Sequence, residues 1–210
     1  MSAFELIRSI QKASDGRSLA GLLKHAQCEV CDYKAFTRSL VLTLGHDVAG
    51  RFGRILFKSF ALGGSRDANV DIRTVVTAYR AVVLCPNAFH QPKQVLLSLL
   101  RDYTEDGETW KLDDVVKVVS VAATCEEESQ VARRLRERIL LLSPPSSPYT
   151  VTPNVIERAL NEDANIIDGF RSQLIARLTD EERLQILAEE EVSGRRAPNQ
   201  CLGPPSLQIQ

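Results

Sequence analysis

The run Cys31-Asp32-Tyr33-Lys34-Ala35-Phe36 sets an apolar residue, an aspartate and the start of an amphipathic stretch in immediate succession. The phrase returns as Val70-Asp71-Ile72-Arg73-Thr74-Val75 and as Leu112-Asp113-Asp114-Val115-Val116, with a fourth version in Ile167-Asp168-Gly169-Phe170. The first three stand 39 and 42 residues apart, a period expected of a repeated supersecondary unit. Aspartate in this place reads as a helix N-cap, because its carboxylate can accept from the unpaired N–H groups of the first turn.

Working outward, the chain reads as helix almost throughout. Phe4, Ile7 and Ile10 mark a helix over 3–12, ended by Ser14-Asp15-Gly16, and 19–27 forms a second. Asp32 opens a third with a Phe36, Leu40, Leu44 stripe, stopped at Gly45. Asp47 starts a fourth through Phe52, Leu56 and Phe60, and Asp71 a fifth through Val75, Tyr79 and Val82. Pro92 suits the first turn of the next, and Asp113 or Asp114 begins another; β-branched residues there allow a strand, but strict alternation is missing. Glu126 to Leu142 is helical, and further helices are expected over 155–160, 170–178 and 180–191, the last opened by a Thr179/Glu182 capping box. Phe36, Phe57, Phe60 and Tyr79 are expected in one buried cluster.

These signals give an all-α fold with four parts. Residues 1–142 form a helical body, 143–153 a Pro/Ser-rich linker, 154–192 a C-terminal helical segment and 193–210 a flexible tail. The 210 residues, 44% hydrophobic, suffice for a real core. A net charge of −1 offers no general attraction to nucleic acid or to an anionic membrane, and no apolar run reaches the roughly 20 residues that span a bilayer. Five cysteines without a signal-peptide pattern suggest reduced thiols and a cytoplasmic location.

Helix, loop, apolar-Asp step and helix are the parts of an EF-hand, and residues 19–125 resemble the calmodulin-like superfamily in this pattern, more faintly as far as 178. The resemblance implies paired EF-hand-like units plus C-terminal helices, with 154–192 as a fourth degenerate hand. It also implies an apolar groove that receives an amphipathic helix.

The calcium ligands depart from the family's pattern. With Cys31 at loop position 8, Lys24, Ala26 and Cys28 stand where oxygen ligands belong, and Ala35 replaces the terminal glutamate. With Val70 at that position, Gly63, Ser65 and Asp67 leave one carboxylate and Thr74 ends the loop. In the third loop, taking Gly107 as the turn glycine sets Asp102, Thr104, Asp106 and Asp113 at positions 1, 3, 5 and 12. These four are the calcium candidates. Here Thr109 would take the apolar position, and aspartate is a short substitute for the bidentate glutamate.

Other constellations point elsewhere. Cys28-x-x-Cys31 with His25 and His46 supplies the donor types of a zinc site, although buried thiols and surface histidines explain the same residues. Phosphate-loop, G-x-S-x-G and H-E-x-x-H motifs are missing, and Cys85 with His90 lies among prolines, so an enzyme is not expected. The basic run from Arg133 to Arg138 reads as a salt-bridged helix face beside Glu126-Glu127-Glu128.

The expected protein is therefore a non-enzymatic interaction scaffold or adaptor. It is built on degenerate hands, needs no cofactor and binds a protein partner through an amphipathic helix, without nucleic acid or membrane insertion. Alternatives are a calcium-responsive switch using the Asp102–Asp113 loop and an α-solenoid or viral-type helical structural protein. Calcium at sub-millimolar concentration is expected to leave circular dichroism and the melting temperature nearly unchanged. A rise of several degrees that disappears in Asp106→Ala would instead establish the switch.

Overall fold

The structure is a computed structural model that describes residues 2–26, 28–62, 68–103, 109–123, 129–144 and 149–194. Among them the fold is all-α, with eleven α-helices and strands of only two or three residues. The chain divides into two compact units, Met1–Arg177 and Leu178–Gln210.

The first unit opens with α1 (Ala3–Ala13), whose N-terminus carries a capping box. The Ser2 hydroxyl accepts from the Glu5 N–H, and the Glu5 carboxylate accepts from the Ser2 N–H. A 3-10 turn and the short α2 (Leu22–His25) lead to β1 (Val30–Cys31) and α3 (Tyr33–Leu44). Asp32 caps α3 by accepting from the Ala35 N–H at 2.7 Å. Gly45 alone joins α3 to α4 (His46–Phe60), and its φ of +90° is a conformation that a side chain would disfavour. Next come β2 (Ala61–Leu62), β3 (Asn69–Asp71) and α5 (Ile72–Leu84), the last capped by Asp71 through the Arg73 N–H at 2.9 Å.

A second series repeats the plan. α6 (Pro92–Tyr103), β4 (Trp110–Lys111) and α7 (Leu112–Ala123) form one helix–strand–helix unit, and α8 (Gln130–Leu142), β5 (Thr150–Val151) and α9 (Pro153–Glu162) form the next. The strands pair antiparallel. Cys31 stands opposite Val70 in the first pair of units, and Trp110 opposite Val151 in the second. The flanking bonds match as well, since the Ile72 N–H donates to the Glu29 carbonyl and the Leu112 N–H to the Tyr149 carbonyl, both at 2.9 Å.

These pairs shift the repeat from the register that the aspartates suggest. Its apolar residues are Cys31, Val70, Trp110 and Val151, separated by 39, 40 and 41 positions. In the third unit Asp113 and Asp114 lie inside the first turn of α7, where they favour the helix dipole, and Leu112 begins the helix. Ile167-Asp168-Gly169-Phe170 is no loop exit at all; it lies within α10 (Ala164–Ile175). The Pro/Ser-rich stretch 143–153 ends in regular structure, because Thr150–Val151 is a strand and Pro153 the first residue of α9.

The two pairs share one core along α5 and α7, which pack together. Both are apolar on nearly every side: Ile72, Val75, Val76, Ala78, Tyr79, Ala81 and Val82 of α5 are buried, as are Leu112, Val115, Val116, Val118, Val119 and Val121 of α7. Asp71 at the head of α5 is buried and ion-paired with Lys117 of α7. Phe36, Phe57, Phe60 and Tyr79 are all buried, with Phe36 and Phe57 in ring contact at 5.6 Å.

The second unit contains α11 (Asp180–Gly194), and its expected capping box is present. The Thr179 N–H donates to the Glu182 carboxylate at 2.7 Å, and the Glu182 N–H to the Thr179 hydroxyl at 3.2 Å. Beyond Gly194 the expected flexible tail lies outside the described residues.

Trp110 is the chain's single tryptophan, is 2% exposed, and donates its indole N–H to the Leu100 carbonyl at 2.9 Å. Its fluorescence should be blue-shifted and shielded from acrylamide. Trp110→Ala should cost about 3–5 kcal/mol in denaturant unfolding, whereas Lys111→Ala, one residue away and exposed, should cost little. Equal losses at the two positions would contradict the strand register.

Candidate functional site

Each pair of helix–strand–helix units holds one further helix of the chain. α10 packs against α6, α7, α8 and α9, all four helices of the second pair. Its sequence explains why: Ile166, Phe170 and Leu174 follow at four-residue steps, forming one stripe, and all are fully buried. Gly169 lets the backbone come close to α8, since a Cβ built there would stand 2.9 Å from Val131 Cγ2. α1 covers part of the first pair. It packs against α4 and α5 and buries Phe4, Leu6, Ile7 and Ile10.

Polar contacts fix both ends of α10. Asp163 caps it by accepting from the Asn165 N–H at 3.2 Å, and also accepts from Arg134 Nε of α8 at 2.6 Å. The Arg134 hydrogen bond, first among several causes, holds the Asp163 carboxyl below the usual aspartate range. At the other end the buried Cys85 thiol donates to the Leu174 carbonyl at 2.8 Å. Arg177 lies over the Phe4 ring at 3.9 Å, donates Nε to the Ala123 carbonyl at 2.6 Å, and accepts from Arg8 through its own carbonyl. The two added helices thus meet at Arg177.

Two of the four calcium candidates, Asp102 and Asp113, lie among the described residues. Asp102 lies in the last turn of α6 and is ion-paired with Arg80 at 3.1 Å, while Asp113 lies in the first turn of α7 and is ion-paired with Arg136 at 3.0 Å. Thr104 and Asp106 lie outside the described residues, as do Gly63, Ser65 and Asp67 of the second loop. Strand pairing also sets Trp110, not Thr109, at the apolar position. That moves positions 1, 3, 5 and 12 to Tyr103, Glu105, Gly107 and Asp114, a poorer set of oxygen donors.

The zinc candidates separate too. Cys28 and Cys31 touch, Sγ to Sγ at 3.1 Å, but His25 and His46 do not join them. Among the described residues no group of three or more His, Cys, Asp or Glu side chains could hold a metal ion.

Three arginines of the basic face of α8 pair with carboxylates of other elements. Arg134 pairs with Asp163, Arg136 with Asp113, and Arg138 with Glu162 at 2.6 Å; Glu126, Glu127 and Glu128 lie outside the described residues. Arg133, Arg134, Arg138, Glu137 and Asp163 line a shallow open depression of about 480 Å³ whose charges are mixed. No helix of the described residues is long and apolar enough to cross a membrane.

Sequence reading identifies the apolar stripe of α10 but not the glycine that seats it, nor the packing of α1 on the first pair. The signal for α1 is its capping box and its four buried positions, ordinary for any surface helix. Comparison with protein-family models, curated proteins and solved structures finds no match for this chain.

Gly169→Ala should destabilise the protein by ~1–3 kcal/mol, because β-branched Val131 cannot yield easily to the new methyl. Helix propensity alone would favour the substitution by up to about 1 kcal/mol. In a Val131→Ala background the penalty should vanish, giving a coupling measurable in urea unfolding.

Proposed function

We propose that this chain is a non-enzymatic, cytoplasmic interaction scaffold built on four degenerate EF-hand-like units, and that its own helices α1 and α10 serve as the ligands of its two paired lobes. The observation that carries this proposal is α10: a three-residue apolar stripe, fully buried, laid against all four helices of one strand-linked pair. That is the way an amphipathic helix sits in an apolar groove. The antiparallel contacts Cys31–Val70 and Trp110–Val151 join successive units in twos, which supports paired hands over a solenoid of stacked hairpins.

The partner suggested by this arrangement is a protein that offers an amphipathic helix with apolar residues at four-residue spacing. It competes with α10, so binding is held in check by the stability of the internal contact. The loops lack adequate ligand sets, so control by calcium is not part of the proposal. Near-zero net charge and the paired arginines of α8 give no basis for nucleic-acid binding.

The test uses a fluorescein-labelled peptide of residues 163–177 added to the full chain. Phe170→Ala loosens the internal helix and should bind the peptide at least about tenfold tighter than the unsubstituted chain, because a larger fraction has a free groove. A folded Phe170→Ala variant that binds the peptide no better would overturn the proposal.

A further inference from the structure

The Cys28–Cys31 pair has no part in the packing of α1 or α10, yet its geometry is specific. The two Sγ atoms lie 3.1 Å apart, and the Cys31 thiol also donates to the Cys28 carbonyl at 3.2 Å. Two thiolates sharing a tetrahedral zinc, each at about 2.3 Å, would stand roughly 3.8 Å apart. A disulfide needs about 2.05 Å, an approach of only about 1 Å from the observed separation. The positions differ sharply in access, for Cys28 is exposed whereas Cys31 is 1% exposed and paired with Val70 in the first strand contact.

We infer that Cys28 and Cys31 form a reversible dithiol–disulfide site that reacts with small disulfides of the glutathione type. The order of events follows from access. The Cys28 thiol loses its proton to solvent, and the thiolate attacks one sulfur of the small disulfide. A Cys28 mixed disulfide forms, and the first small thiolate leaves and takes a proton. Cys31 then loses its proton and attacks Cys28 Sγ, closing the intramolecular bond and expelling the second small thiol. Two protein thiols are oxidised and one small disulfide is reduced to two thiols, so atoms and electrons balance. Burial, reinforced by the neighbouring Cys28, pushes the Cys31 thiol up to about 12, which makes Cys28 the first nucleophile.

The product would lock the turn that precedes Asp32, the cap of α3, and sit directly beside the strand contact joining the first two units. Oxidation is therefore felt at the joint of one lobe and not at its surface alone.

The experiment incubates the folded full chain with excess oxidised glutathione, traps free thiols by alkylation, and maps peptides by mass spectrometry. Expected is a Cys28–Cys31 link, two hydrogens lighter than the reduced peptide and fully reversed by dithiothreitol. Cys85 should stay reduced, because it is buried with its thiol bonded to the Leu174 carbonyl. In Cys31→Ala the reaction should stop at the Cys28 glutathione adduct, and in Cys28→Ser position 31 should remain a free thiol. Three results in the unsubstituted chain would each overturn the inference: both thiols left unreacted, a lasting Cys28 adduct beside free Cys31, or Cys28 linked to Cys125 or Cys201.

Discussion

Two backbone contacts, Cys31 against Val70 and Trp110 against Val151, hold this fold in register. Each is only two residues long, yet it supplies partners for loop N–H and C=O groups that would otherwise be desolvated beside the core. It also decides which unit joins which. A single helix–strand–helix unit has an apolar face on both helices and nothing to cover it. Crossing two such units at their strands turns four half-buried stripes into one enclosed layer. The repeated bonds from Ile72 to Glu29 and from Leu112 to Tyr149 show that both pairs solve the problem at the same backbone positions.

From that constraint follows the seam between the pairs. The strand contact delivers Asp71 to the head of α5, where one carboxylate oxygen caps the helix and the other meets Lys117 of α7. A buried aspartate is tolerated there because it is both hydrogen-bonded and ion-paired. Burial, ahead of the charges of Asp71 and Asp114, raises the nearby Tyr103 hydroxyl above its ordinary value, so the ring stays neutral against Arg73, whose guanidinium lies 5.7 Å from its centroid. The polar atoms at this seam thus add a hydrogen-bonded ion pair to the apolar contact between α5 and α7.

Much of this was legible in the residues. Asp32 and Asp71 cap helices as their side-chain chemistry requires, Gly45 supplies the positive φ of a one-residue helix junction, and the stripes of α3 to α6 are buried as spaced. The second half misleads for a physical reason. Lys111 and Thr152 occupy the places held by Asp32 and Asp71, and neither gives the carboxylate signature. Asp113 and Asp114 imitate it two residues late, where the helix dipole rather than a cap rewards acidity. β-branched Thr150, Val151 and Thr152 ahead of Pro153 hold the better clue, a short strand running into a helix N1 proline. What no pattern conveys is whether an amphipathic helix meets its own chain or another, because both surfaces select the same stripe.

That ambiguity is what gives α10 its significance. A helix buried against four others by Ile166, Phe170 and Leu174 is chemically the same object as a partner's helix, differing only in being tethered. Tethering gives α10 a high local concentration, which under the proposed function an outside helix would have to overcome. Arg177 bears on that balance from the far end of α10. Its guanidinium rests on Phe4 of α1 and bonds to Ala123 of α7, and its carbonyl accepts from Arg8 of α1. Drawing α10 out of its seat therefore strips a cation–π contact and one hydrogen bond from α1, along with the Arg177–Ala123 bond inside the second lobe. The contacts of Arg177 thus tie the chain just past α10 to α1 as well as to α7.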